Sequence, residues 1–228
     1  MKILIIYLLL IPNILFALDC PEWEIGGFKL GPGQCISSGG TAYVYLHPRN
    51  QQRIFKVFGV GYKEIFVDEV KFSDVLLKER IPVLKALSHT NLNTNENNLG
   101  NSSWYIEKVK LQSAFSDYCK SEQMFQRIPN LKGFVDIISK IKLANYKSLQ
   151  ANKRRPNDPL KGKLIIDWHI ENFMHDKNNN WYLIDFLIND INEFLSLNNI
   201  KGYDFSREIQ REIFELCPVS KAKLRHLL

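Results

Sequence analysis

Asp167, Asn172 and Asp185 set two carboxylates and an amide beside short apolar runs. Asp167 follows the short apolar run 164–166, and Asn172 stands five residues beyond it. Asp185 sits in Leu183-Ile184-Asp185-Phe186, within a second apolar run, 18 residues after Asp167. A hairpin-like return through the turn Asp176-Lys177-Asn178-Asn179-Asn180 would bring both carboxylates and the amide to one end of a strand pair. Three oxygen donors with no nearby Lys or Arg suit a hard cation such as Mg2+, with phosphate oxygens completing its shell. Phosphoryl transfer asks for such a set: a metal to neutralise charge, and a carboxylate placed to receive a hydroxyl proton.

A cation and an anion elsewhere in the chain would complete the site. Lys56 lies in Ile54-Phe55-Lys56-Val57, a lysine inside an apolar strand. Such a lysine either snorkels to solvent or meets an anion inside. Glu69 is the available partner. From Lys63 to Arg80 the apolar pattern takes helical spacing, with Phe66, Val70, Ser73 and Leu77 in one row and Ile65, Glu69, Phe72 and Leu76 in the next. This predicts a helix of about four or five turns, stopped by Pro82, with Glu69 on the side facing a sheet. Glu64 and Asp68 fall on other faces. A lysine held by a carboxylate can present its remaining protons to phosphates. Gly39-Gly40, between two strands, would let backbone amides approach phosphate closely.

The rest of the chain reads as two unequal parts. Residues 25–58 read as strands: Phe28, Leu30, Tyr43, Val44, Tyr45, Ile54, Phe55, Val57 and Phe58 suit a pleated surface. Turns are expected over Ser37 to Thr41 and over His47 to Gln52. After the helix, 91–103 reads as an exposed Asn-rich loop and 103–111 as another strand. A second amphipathic helix is expected over 131–150, its apolar face including Phe134, Ile137, Ile138, Ile141, Leu143 and Ala144. Residues 152–163 read as a basic loop, 164–166 and 181–188 as strands, and 189–228 as helix.

The chain has 228 residues, a formal net charge of +6, 45% apolar and 12% aromatic residues. That composition excludes a disordered chain, and no internal period suggests a repeat array. The positive charge is mild and spread out, so no nucleic acid partner is expected. Residues 1–17 have a lysine at position 2, an uncharged apolar stretch and Leu15-Phe16-Ala17 at a suitable cleavage point. This is the layout of a secretory signal peptide. Pro12 and the shortness of the run argue against a membrane span, so no stable membrane insertion is expected. The mature chain is then 18–228. Its four cysteines, Cys20, Cys35, Cys119 and Cys217, allow three pairings, and the short loop Cys20–Cys35 with Cys119–Cys217 is the one expected.

Asp167-Trp168-His169-Ile170-Glu171-Asn172 resembles the catalytic loop of protein kinases. Leu183-Ile184-Asp185-Phe186 resembles their metal-binding strand end, and Ile54-Phe55-Lys56 their lysine strand. Ser37 to Tyr45 is similar to a worn glycine-rich loop, and the four motifs come in the family's order. The resemblance implies an α+β, two-lobed kinase-like fold, with an antiparallel N-lobe sheet over about 25–111 and a truncated helical C-lobe over about 112–228. It implies ATP and Mg2+, with Asp167 as the base, Asn172 and Asp185 on the metal, and Lys56, braced by Glu69, on the α- and β-phosphates. Gly39, Gly40 and Thr41 would lie over the nucleotide, and the backbone from Glu107 to Val109 would serve as the adenine hinge.

The chain departs from the family where Ile165-Ile166 replaces the usual His-Arg, where Ser37 replaces a glycine, and where Leu187 follows Phe186. Only 43 residues follow Asp185. That shortness resembles the minimal effector kinases of the OspG/NleH type, which bacteria deliver into host cells. The implied function is an exported Ser/Thr kinase acting in a host cell, with a host protein as substrate or activator. Two alternatives stay open. Asp-x-His-x-x-Asn is also the pattern of small-molecule phosphotransferases of the aminoglycoside and choline kinase type, and a pseudokinase binding module would keep the fold without the transfer.

Overall fold

The computed structural model describes residues 20–59, 61–93, 104–150, 153–167, 169–197, 211 and 213–218. The expected leader, the Asn-rich stretch from 94 to 103 and most of the tail beyond 197 lie outside them. The architecture is α+β, with every strand pair of every sheet antiparallel.

The first part is built on a hairpin, β1 (Trp23–Ile25) and β2 (Phe28–Leu30), and a five-stranded sheet. The sheet contains β3 (Cys35–Ser38), β4 (Ala42–His47), β5 (Asn50–Phe58), β6 (Ser88–His89) and β7 (Tyr105–Val109), in the order β3-β4-β5-β7-β6. The loop expected over His47 to Gln52 is tighter than its polarity suggested, since the strands run on to His47 and resume at Asn50. Helix α1 (Lys63–Lys78) covers one face of the sheet.

Alternation along β5 decides what each face receives. Phe55 and Val57 join Tyr45, Ile25 and Leu30 in a cluster under the β1–β2 hairpin. Phe58 joins Ala42, Ile106 and Phe66 of α1 on the other face. Lys56 has the parity of Phe58, so the strand itself turns this lysine toward α1. The buried residues of α1 are Phe66, Glu69, Ser73 and Leu76, a stripe that takes members from both predicted rows. Leu77 is left exposed.

The second part is gathered around α4 (Leu131–Leu149), preceded by the short helices α2 (Phe115–Tyr118) and α3 (Glu122–Gln126). Its core contains Phe134, Ile137, Ile138 and Ile141, packed with Phe173, Leu183 and Phe186. Leu143, expected on that face, is exposed, whereas Asn145 is fully buried. At 100° per residue position 143 falls outside the stripe that 137, 138, 141, 144, 145 and 148 make.

The run 181–188 is not one strand. It divides into β10 (Trp181–Leu183), which pairs with β9 (Phe173–His175), and β11 (Leu187–Asp190), which pairs with β8 (Lys163–Ile166). Helix α5 (Ile191–Leu197) begins where β11 ends, so the first residues of the supposed helical tail are strand.

Two disulfides, Cys20–Cys35 and Cys119–Cys217, form the expected pairing. The second closes a separation of 98 residues and ties the end of α2 to the helical residues 213–216. Such a crosslink acts chiefly by restricting the unfolded chain. Replacing Cys119 and Cys217 together by serine is expected to cost about 2–4 kcal/mol in urea denaturation. Among the described residues no helix is long and apolar enough to cross a membrane.

Candidate functional site

The chain leaves β8 at Asp167, passes through a 3-10 turn at Ile170–Asn172, and runs up β9 and back down β10. It then crosses at 184–186 to β11, which lies beside β8. Asp167, Asn172 and Asp185 therefore stand where two small ladders meet. The backbone N–H of Ile184 donates to the carbonyl of Asn172 at 2.8 Å and fixes that junction. Phe186, Ile170 and Phe173 are buried in the core below, which anchors the segment that carries Asp185.

Asp167 has φ 62°, in the left-handed region that costs a non-glycine residue energy. Asn172 Nδ2 donates to the Asp167 carbonyl at 2.7 Å and holds the bend. That bond engages the amide nitrogen, and the amide oxygen is the atom a cation would take. Behind the loop, Asn145 of α4 exchanges two hydrogen bonds of 2.8 Å with the backbone of Ile165, two residues before Asp167. A buried amide thus serves β8 as a third strand would, a role its sequence context did not reveal.

Lys56 Nζ lies 2.7 Å from Glu69 Oε2 and 3.0 Å from Asp185 Oδ1. The sequence offered Asp185 no nearby cation, but the sheet supplies one. Lys108 Nζ donates to the other oxygen of Glu69, Oε1. Glu69 is fully buried and both lysines are nearly so. Burial alone would raise the Glu69 pKa, yet Lys108 and Lys56 together hold it below the ordinary carboxylate range. Burial likewise opposes charge on Lys56, but Glu69 and Asp185 outweigh it and raise its pKa. For Lys108 burial prevails and the pKa is lowered, because the Lys56 charge adds to it and Glu69 is the carboxylate it touches. Asp167 is raised, first by burial and then by the charge of Asp185.

All of these groups except Glu69 line one cavity of about 670 Å³. Lys56, Asp167, Asn172 and Asp185 share it with Gly39, Gly40 and Thr41, and Glu69 lies behind Lys56. A Cβ at Gly40 would meet nothing of the chain within 4 Å, so the fold itself does not require glycine there. The lining also includes the apolar side chains Ala42, Val44, Ile54, Leu111, Met174 and Ile184.

Glu107 and Val109 are not part of the lining. Glu107 has the parity of Tyr105 and turns to the hairpin face of the sheet, where it takes Arg53 at 2.9 Å and Ser88 at 2.7 Å. Its backbone carbonyl accepts from Leu87 N–H. Lys108, between Glu107 and Val109, lines the cavity, as do Lys110, Leu111 and Gln112. Among the described residues no group of three or more His, Cys, Asp or Glu is placed to hold a metal, so protein ligation would rest on Asn172 and Asp185 with ligand oxygens added. His169 Nε2 lies 3.4 Å from Asp167 Oδ1.

Set against the sequence patterns of known protein families and against curated protein sequences, the chain matches none.

Proposed function

We propose that the chain is an ATP-dependent phosphotransferase of minimal, two-lobed kinase-like design, acting on serine or threonine hydroxyls of a protein. One observation carries this reading: Lys56 bridges Glu69 and Asp185 on the wall of a cavity that Asp167 and Asn172 also line. The acceptor oxygen bonds to the γ-phosphorus, the bond from that phosphorus to the β–γ bridging oxygen breaks, and ADP leaves. Asp167 receives the acceptor's proton, and its raised pKa suits a group that must take one. Lys56 and the backbone near Gly39-Gly40-Thr41 hold the phosphates. The fit for Mg2+ is a partial one: Asn172 and Asp185 offer two oxygen donors on one cavity, a set that phosphate oxygens complete. Bound there, the ion would neutralise charge on the phosphates. The apolar lining suits a planar base.

The disulfides support folding in an oxidising compartment. ATP requires a nucleotide-rich place of action, and export into a host cell meets both conditions. A host protein is then the substrate or the activator.

Saturating ATP with Mg2+, at about a hundred times its dissociation constant, is expected to stabilise the protein by about 2.7 kcal/mol. That corresponds to a rise in Tm of about 5–10 °C for a chain of this size. Absence of any shift at millimolar nucleotide would remove the reading. The His169–Asp167 contact favours a second reading, a small-molecule phosphotransferase of Asp-x-His-x-x-Asn type. γ-Labelled ATP incubated with host lysate separates the two: label in protein bands supports the first, label confined to small molecules the second.

A further inference from the structure

Glu69 carries two ammonium groups, one on each oxygen. Lys56 is one, turned on toward Asp185, and Lys108 is the other. It lies on β7, whose register places Ile106 opposite Lys56 and Lys108 opposite Ile54. Lys108 and Lys56 therefore share the sheet face that looks at α1. Lys108 also lines the cavity.

Consider the charges. Lys56 and Lys108 face Glu69 and Asp185, two positive against two negative. If a cation takes Asp185, the remaining group is Lys56, Lys108 and Glu69, with one positive charge in excess. Without Lys108 the remainder of this cluster is Lys56 and Glu69 alone, a neutral pair, and Lys110 is the lysine left on the lining outside it. Geometry works the same way. With Oε1 taken by Lys108, Lys56 is confined to Oε2, and its other protons point elsewhere, as the Asp185 contact demonstrates. With Oε1 vacated, Lys56 is free to turn both ways onto Glu69 and away from the cavity.

We infer that Lys108 is a positioning residue that keeps this wall of the cavity net positive and Lys56 turned outward, so that the site selects ligands by their phosphate charge. The inference rests on the nucleotide reading above and deepens it. The ligand class it specifies is a polyphosphate carried with a divalent cation, and the discrimination is between the triphosphate and the uncharged nucleoside.

The test compares dissociation constants for ATP and adenosine, with excess Mg2+, in the wild type, Lys108→Met and Lys108→Arg. In the wild type ATP should bind at least about tenfold more tightly than adenosine. Lys108→Met should weaken ATP by at least about tenfold and change adenosine by less than about twofold, while Lys108→Arg restores most of the loss. Equal losses for both ligands would mean that Lys108 merely supports the fold, and unchanged ATP binding would mean that its charge is not felt. Either result overturns the inference and leaves the nucleotide reading standing. A wild type that binds ATP no better than adenosine overturns the inference even if Lys108→Met does not fold. A wild type that binds neither overturns both.

Discussion

Glu69→Ala is expected to lower folding stability by about 3–5 kcal/mol, because removing one partner of a buried ion cluster leaves uncompensated charge. Here the loss is compounded: Lys56 retains Asp185, but Lys108 has lost the carboxylate it touches and faces a second ammonium. Glu64→Ala, on the exposed side of the same helix, should cost less than about 1 kcal/mol, the worth of a carboxylate near a helix N-terminus. The pH dependence follows from the direction of the shift. The Glu69 pKa is lowered on folding, so its contribution is complete above the ordinary carboxylate pKa of about 4.3 and is lost as pH falls through the lower, folded value. Urea denaturation at neutral pH should show the full gap between wild type and Glu69→Ala, and the gap should shrink below about pH 4. Lys56 behaves in the opposite sense: its raised pKa keeps its contribution present at neutral pH and through the mildly alkaline range. A gap that stays constant into acid would mean that Glu69 is not the ionised centre of the cluster.

The helix that carries Glu69 was legible because a single carboxylate falls among apolar side chains at helical spacing, where it needs a cation or several donors. Lys56 was legible for the mirror reason. Lys108 was not. Glu107 and Lys108 are adjacent charges in one strand, so one must face each side of the sheet, and the sequence does not say which. That depends on register: β7 pairs Ile106 with Lys56, which turns Lys108 toward Glu69 and leaves Glu107 for Arg53. Register is a tertiary property, fixed by α1 on one face and the hairpin on the other. The same register keeps the side chains of Glu107 and Val109 out of the cavity lining, while Lys108 between them lines it. The break in 181–188 was hidden similarly, because an apolar run shows burial but not that Phe186 belongs to the core while Asp185 lines the cavity.

Composition also misled at Arg154. Lys153-Arg154-Arg155 reads as a solvated basic loop, yet the Arg154 side chain is 1% exposed. It donates to Glu79 at the end of α1, to Asp158, to Ser148 and to the Ala144 carbonyl. A guanidinium has five donors in a fixed fork, and burial is tolerable when such a set of acceptors surrounds it. Asp158, Ser148 and Ala144 lie within ten residues of it, but Glu79 comes from the end of α1, 75 residues away, and only the fold closes the set.

Asp185→Ala is expected to reduce phosphate transfer about a hundredfold to a thousandfold while the protein stays folded, a loss of the size seen when one preorganised electrostatic partner of a transition state is removed. Its side chain is 26% exposed, and its removal leaves Lys56 on Glu69 and the Lys108 contact intact, so the change in stability should be near 1 kcal/mol. Circular dichroism and urea denaturation establish the fold, and release of labelled phosphate to the acceptor measures the chemistry. Asp185→Asn separates charge from shape: it keeps an oxygen near Lys56 but gives up the anion. If charge toward a cation is what matters, Asn should fail nearly as badly as Ala, and adenosine should bind both variants as it binds wild type. There is a second consequence at Asp167. The Asp185 charge helps raise its pKa, so either variant should lower that pKa and move the acid limb of the residual rate to lower pH. Transfer that survives in both variants would place the cation, and with it the leaving phosphate, somewhere other than the junction of β8, β10 and β11.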